Sequence, residues 1–568
     1  MWPLWALYIT FLCCWVTAQQ NLLLNPGFES PLDGHWEAEG FTFSLTNDAH
    51  SGEYAFKSSG RTAAWQGPTQ QVMLQRGRAY TLTAWVKQLN DKPGKVFQVY
   101  RAAVVLRYSD ASTTDRLFVI DHSMVRAADG WFQMTGYFRT PDRALSSAQV
   151  HFQVQEPGVD FLMDDTSLQE LVDDVRWKEA ADRRIQELRT GNIHMQFTLP
   201  RGVLAQDVNV EVSLKKHEFG FGTLIQDSWL TDSVHTKYQE QVFKLFNTAT
   251  TQGVKWKFDR GTQFHPDFSR AVHSINLLRE KGIRVRAHNM FWGFEKNLPD
   301  YVKTMSASTL NTTVHERLVY MTNLIKGKAE HWDVVNELLH GQWFEDRMGD
   351  PLYSEHLYRE VHNLDPYPQL FLNDYSVAAR AEATDAYLQL ARKFLAHGVP
   401  VHGLGVQSHF HTAVPDPTLI MAILDHLAQA GLPIWATELD VWQEDRAKRA
   451  DYYDTVLRLF FSHPAVKGVI FWGFWDQDVV DSRSALAEGS NVELNEAGHR
   501  FVDLTQREWS TNVSVNLASN TFFNITGFKG EYEAKVMYHN SLIKVIPFTL
   551  SNERISISVD IEGNIYLF

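Results

Sequence analysis

Cysteine is almost missing from this chain of 568 residues: Cys13 and Cys14 are the only two, and both lie within the first twenty positions. A disulfide framework and thiolate chemistry are thereby excluded for the rest of the chain, whose stability has to come from a large apolar core. An excess of basic residues is missing too. Lys plus Arg number 53 against 67 Asp plus Glu, a formal charge of −14, which argues against a nucleic-acid partner. No apolar run is long enough to span a bilayer. The longest, Leu4–Val16, has the length of a signal-peptide core, and Val16-Thr17-Ala18 reads as its cleavage site. Residues 1–18 are therefore expected to be a signal peptide, with a membrane anchor as the alternative, and the mature protein to be secreted, extracellular and free of membrane. Linkers rich in Pro/Thr or Gly/Ser are also lacking, so the modules are expected to abut.

What is present suits a large folded protein. Apolar residues make up 44% and charged ones 21%, enough to bury a core and exclude wholesale disorder. The 18 tryptophans exceed what a core needs, and flat indole faces are what pyranose rings stack on. Three Asn-x-Ser/Thr sequons, at Asn311, Asn512 and Asn524, are candidate glycan sites on surface loops.

Four textures follow one another. Residues 21–170 read as short strands separated by Asn, Asp, Gly and Pro turns, an all-β sandwich. Residues 171–216 read as a connector: a helix with Trp177, Ala181, Ile185 and Leu188 on one stripe, stopped by Gly191-Asn192, then a β stretch. Over 217–510 apolar strand-like runs begin near His217, Thr248, Ile283, His331, Gln369, Val401, Pro433 and Val466. They stand roughly 30–50 residues apart with helical patterns between them, the spacing of strand-plus-helix units. One such helix opens with Asp416 as N-cap and Pro417 behind it. Eight alternations predict an α/β fold, a closed (β/α)8 TIM barrel, with a doubly wound open sheet as the alternative. Residues 511–568 return to strands and read as a small β tail packed on the barrel.

In a barrel, chemistry sits at the C-terminal ends of the strands. The fourth run ends His331-Trp-Asp-Val-Val-Asn-Glu337 and the seventh ends Ile434-Trp-Ala-Thr-Glu438-Leu-Asp440. Other ends carry Arg286, His288 and Trp292; Asn373-Asp374-Tyr375; Gln407 and His409; Trp472 and Trp475. Two carboxylates facing each other across a cleft are what glycosidic cleavage requires, one protonated to donate and one ionised to attack. No His/Asp/Glu group shows metal-ligand spacing, so no catalytic cofactor is expected.

These motifs resemble glycoside hydrolase family 10, the endo-β-1,4-xylanases, in its plant and animal branch. Phe371-Leu-Asn-Asp-Tyr375, Gly405-Val-Gln-Ser-His409 and Arg286-Ala-His288 match in the family's order. The resemblance implies a retaining enzyme with Glu337 as acid/base and Glu438 as nucleophile. It also implies that His409 and Asp440 orient Glu438, that Asn336 holds a sugar 2-hydroxyl, and that Gln407 lies near Glu337. Lys255, His288 and Trp292 would form the glycone-side wall and Trp472 a stacking platform. Gln252-Gly253 and Gly293 depart from the family's usual residues, which leaves a β-1,4-glucanase or mixed specificity as the alternative and a non-catalytic glycan-binding protein as a remote one. The expected partner is a β-1,4-linked plant cell-wall polysaccharide, and the expected state a monomer.

Asn25-Pro-Gly-Phe-Glu29, Gly60-Arg61-Thr-Ala-Ala-Trp65 and Phe161-Leu-Met-Asp-Asp165 resemble family 22 carbohydrate-binding modules. That resemblance places Arg61 and Trp65 in a glycan cleft and makes Glu29 and Asp165 candidate ligands of a structural Ca2+. Tyr54, Trp131 and Phe132 are read as core in preference to cleft.

Overall fold

The computed structural model describes residues 20–32, 35–110, 113–517, 521–562 and 565–567. The expected signal peptide, with Cys13 and Cys14, lies outside the described residues.

The first module is a sandwich of two antiparallel sheets. One orders Thr42–Thr46, Ala55–Ser59, Phe161–Leu171, Ala79–Gln88 and Trp131–Arg139; the other orders Thr69–Val72, Leu145–Val154, Gln98–Tyr108 and Thr114–Val125. In Ala79–Gln88 burial alternates residue by residue, so Tyr80, Leu82, Ala84 and Val86 enter one core with Phe28, Trp36, Val104, Val150 and Phe152.

A helix, Trp177–Arg189, follows and packs on the barrel helix Arg446–Ser462. Gly191 does not stop it, as the sequence suggested. It lies inside the strand Thr190–Thr198, where a Cβ would meet the Asn552 carbonyl at 2.6 Å.

The β half of the connector and the C-terminal tail turn out to be one domain. Thr190–Thr198 pairs with Phe522–Phe528 and Arg554–Asp560, while Val208–His217 pairs with Asn512–Asn516 and Gly530–Tyr538. The two sheets enclose their own core of Ile193, Met195, Phe197, Val210, Tyr532, Val536, Ile546, Phe548 and Ile557. This second sandwich replaces the expected division into connector and tail, because neither half can bury its apolar face alone.

Between its two halves lies the barrel. Its strands are β1 Gly220–Ile225, β2 Thr248–Thr251, β3 Arg284–Ala287, β4 His331–Asp333, β5 Gln369–Asp374, β6 Gly403–Val406, β7 Ile434–Val441 and β8 Val466–Phe471. All neighbours are parallel, and β8 pairs with β1 to close the ring. The open-sheet alternative is thereby excluded. Trp435 fills the N-terminal end of the barrel against Gly468, where a Cβ would lie 2.1 Å from its ring. As expected, Asp416 caps the helix Pro417–Ala428, accepting from the amides of Thr418 and Leu419.

Candidate active site

The C-terminal ends of β3 to β8 bring the sequence-predicted barrel residues into one cluster. Glu337 follows β4 in the left-handed region, φ +58°, and its amide donates to the Asn373 carbonyl at 2.9 Å. Its carboxylate is held at both oxygens: Trp292 Nε1 donates to Oε2 at 2.7 Å and Gln407 Nε2 to Oε1 at 3.0 Å. Glu438 lies in β7 beside a break in register with β8 between Ala436 and Leu439, the kind of irregularity that re-aims a strand side chain. Asn373 Nδ2 donates to its Oε1 at 2.8 Å, and His409 Nε2 stands 3.3 Å from its Oε2.

The two carboxyl groups have opposite surroundings. Glu337 is pushed up to about 7 by burial and by the charges of Asp374 and Glu438, against the lowering effect of its two donors. Glu438 is also raised by burial, but hydrogen bonds from His409 and Asn373 and the nearby His288 bring it down to about 2. His409 is desolvated, yet Asp440 at 2.8 Å and Glu438 raise it to about 10, so it is a cation at neutral pH. At neutral pH one carboxyl therefore carries a proton for much of the time while the other stays ionised, and the two titrate as a coupled pair.

The remaining barrel residues fall where the resemblance implied. Asn336 is fully buried, accepts from Asn373 at 2.8 Å, and has no partner for its own Nδ2. His288 is fixed by Asp333 at 2.8 Å, which Arg286 also binds, and its Nε2 lies 3.9 Å from Glu438. Lys255 is buried, which lowers it to about 8, and its ammonium sits over the rings of Trp292 at 4.6 Å and Trp472 at 5.6 Å. Trp472 is half-buried beside His288 and His409. Trp475 does not reach this cluster; it is buried against Trp229 and Tyr238.

Where the sequence departs from the family pattern, packing gives the reason. Gly253 donates its amide to the buried Asp227, and a Cβ there would stand 2.7 Å from that carboxylate. Gly293 touches Gly341 so closely that a Cβ would meet its carbonyl at 1.9 Å, which lets the loop after β3 lie against the turn that follows Glu337.

Several residues escaped the sequence reading. Asn373 joins both carboxylate strands, and Thr437 Oγ1 at 2.6 Å from its Oδ1 fixes its amide orientation. The His-x-His spacing of His409 and His411 puts both rings on Asp440, which accepts from His411 Nε2 at 2.9 Å. Together these three bring ligand-type atoms within 4.8 Å of one another, so the expectation of no such cluster is corrected. Their hydrogen bonds make it a network that holds His409 toward Glu438.

In the first module one assignment fails. Arg61 is buried at 2% exposure and gives its guanidinium to six backbone carbonyls, those of Ala63, Ala64, Gln66, Val154, Glu156 and Val159. It ties loops together and has no donor left for a glycan. Trp65 is 50% exposed. Tyr54, Trp131 and Phe132 are all half-buried, Phe132 standing edge-on to the core Tyr100 and Trp131 edge-on to His50. Glu29 accepts from the amides of Glu53 and Tyr54, and Asp165 from His50 and Ser51. Both carboxylates border Gly27, so their oxygens suit a hard cation in kind, although each already has protein partners. Asn311, Asn512 and Asn524 are exposed.

Comparison with known proteins agrees with this geometry. The family model described as glycosyl hydrolase family 10 matches residues 210–490, and one described as carbohydrate binding domain matches residues 20–160. Endo-1,4-beta-xylanase 1 of Arabidopsis thaliana is 28% identical over 528 residues, covering 90% of this chain and 53% of its own. The anti-sigma-I factor RsgI6 of Acetivibrio thermocellus is 34% identical over 363 residues, 64% of this chain and 47% of its own. The chain thus spans about half the length of these curated relatives. A solved structure of the CBM22-1 and GH10 modules of Clostridium thermocellum endo-1,4-beta-D-xylanase 10B is 17% identical, covering 84% of this chain and 96% of that one at a TM-score of 0.45. Residues 210–490 are a glycosyl hydrolase family 10 domain, and residues 20–160 are a carbohydrate-binding domain joined to it.

Proposed function

We propose that this protein is an endo-acting, retaining glycoside hydrolase that cleaves internal β-1,4-xylosidic bonds of xylan. The observation that carries the reading is the split between the two buried carboxyl groups, about 7 for Glu337 and about 2 for Glu438. In the first step Glu438 attacks the anomeric carbon while Glu337 gives its proton to the departing glycosidic oxygen. The C–O bond breaks and a glycosyl ester forms on Glu438. Glu337, now ionised, then takes a proton from water, which attacks the same carbon and releases Glu438 with net retention. Asn336 Nδ2, a buried donor without a partner, supplies a hydrogen bond for a sugar hydroxyl, and its gain is largest where charge develops at the adjacent carbon. Lys255 and His288 offer further polar contacts, with Trp292 and Trp472 as apolar faces.

The first module, on this reading, holds β-1,4-linked glycan on an exposed platform that includes Trp65, and binds Ca2+ through Glu29 and Asp165. The protein is secreted and carries glycans on Asn311, Asn512 and Asn524. The deciding experiment is reducing-sugar release from xylan and from carboxymethylcellulose, with chain-length analysis of the products. Release of xylo-oligosaccharides of several lengths from xylan supports the proposal. Preferential release from carboxymethylcellulose indicates a β-1,4-glucanase, and no release from either indicates a non-catalytic glycan-binding protein.

A further inference from the structure

The turn that presents Glu337 is held from two sides, and one of those sides is the first module. Glu337 is a non-glycine residue at φ +58°, a conformation that persists only where its surroundings over-determine it. The barrel supplies most of the restraint. Beyond the Glu337 amide, Leu339 N donates to Asp374 Oδ2 at 2.8 Å, and Gly341 N closes the turn on the Glu337 carbonyl at 2.9 Å. Gln342 Nε2 donates to the carbonyls of Leu338 and Leu339 at 2.8 and 2.6 Å. The buried Ser123, in the module strand Thr114–Val125, adds a bond from outside: its Oγ donates to the same Leu339 carbonyl at 2.6 Å.

That bond is one of a seam. The Asp121 amide donates to the Glu382 carbonyl at 2.6 Å, in the loop after β5. Between them His122 faces the buried Asp385 at 3.4 Å, which also binds His426, and His426 meets Tyr137 of the module. Met124 and Tyr137 pack on the barrel's own core. The module is thus seated on the loops after β4 and β5, and its strand edge is as fixed as a barrel element.

We propose that Ser123 is a positioning residue for the acid/base Glu337, so that the carbohydrate-binding module fastens part of the active site as well as holding glycan. This rests on the reading of Glu337 as proton donor given above. Without Ser123 the Leu339 carbonyl keeps only the Gln342 donor, and the turn gains freedom where Glu337 has to meet the leaving oxygen. Glu438 is untouched, since its partners His409, His288 and Asn373 all belong to the barrel. The charged and titratable groups around the turn are Asp374 and Tyr375 after β5, His340 on the turn, Glu382 with Arg380, and Asp121 with Arg101 from the module.

The test compares wild type, Ser123→Ala and Ser123→Thr in the full chain, on a linear xylo-oligosaccharide and on a nitrophenyl xylobioside whose departure needs little protonation. For Ser123→Ala the expected result is a kcat about tenfold lower on the oligosaccharide, the rate equivalent of one buried hydrogen bond, with KM held within about twofold. Its kcat/KM on the nitrophenyl substrate should stay near wild type, its alkaline pH limb should move to lower pH, and Ser123→Thr should restore both readouts. Wild-type kcat and pH profile in Ser123→Ala would overturn the proposal. So would equal loss on both substrates together with a lower Tm, which marks Ser123 as support for the fold alone. A wild type inactive on both substrates would refute the glycosidase reading itself.

Discussion

Replacing His409 by Gln removes the cation beside Glu438 while leaving a side chain able to donate a hydrogen bond. With 3.3 Å between His409 Nε2 and Glu438 Oε2, an effective dielectric of about 20 gives an attraction of about 5 kcal/mol. That upper bound corresponds to nearly four pK units. His288 and Asn373 remain, so the net rise in Glu438 is expected to be about three units, from about 2 to about 5. The sign follows from which form works: Glu438 attacks only when ionised, so raising it moves the acid limb of the rate profile upward and costs activity at low pH. At pH 4 a group titrating near 5 is only about one-tenth ionised, so kcat/KM on an aryl xylobioside should fall about tenfold there. At pH 6 ionisation is nearly complete and the loss should be far smaller. The alkaline limb, set by Glu337 at about 7, should stay where it is. An acid limb in His409→Gln that superimposes on wild type would refute the electrostatic account of Glu438.

Three further outcomes test separate parts of the structure. Glu337→Ala should lose activity on xylan yet still form the glycosyl-enzyme on aryl glycosides, and added azide should restore its turnover with retained configuration; an inverted product would exchange the two roles. Arg61→Ala leaves six buried carbonyls without their donor, so the first module should lose at least about 3 kcal/mol and about 10 °C of Tm, read by calorimetry. A glycan-binding defect with unchanged Tm would return Arg61 to the cleft. Trp65→Ala should weaken binding of soluble β-1,4-xylan in affinity electrophoresis without changing Tm; unchanged binding would make Trp65 an ordinary exposed indole.

The barrel and its carboxylates were legible because their signals are local. Each strand is an apolar run bounded by a helix, and Glu337 and Glu438 each end such a run. The second sandwich was not legible, because the partner of Ile193 is Ile525 and that of Val210 is Val515, some three hundred residues away in sequence. Short paired strands carry no mark of which distant strand will cover them. Arg61 was misread for a related reason. Beside Trp65 it looks like part of a sugar cleft, but three of its six acceptors lie at 154, 156 and 159, and only the fold brings them there. Likewise Ser123 stands unremarked in a strand of alternating burial until the module is seated against Leu339. His411 could have been found: two histidines two apart on a strand share a face, and β7 places Asp440 opposite them.

The central claim is that Glu438 attacks and Glu337 handles the proton. Incubation with a 2-deoxy-2-fluoro xylobioside bearing an activated leaving group, followed by mass analysis of the intact protein and of its peptides, tests it most directly. Slow release of the fluorinated sugar lets the covalent intermediate accumulate, so the account predicts one added disaccharide carried by the peptide containing Glu438. A label on Glu337, or hydrolysis of the reagent to an inverted sugar with no label, would contradict it.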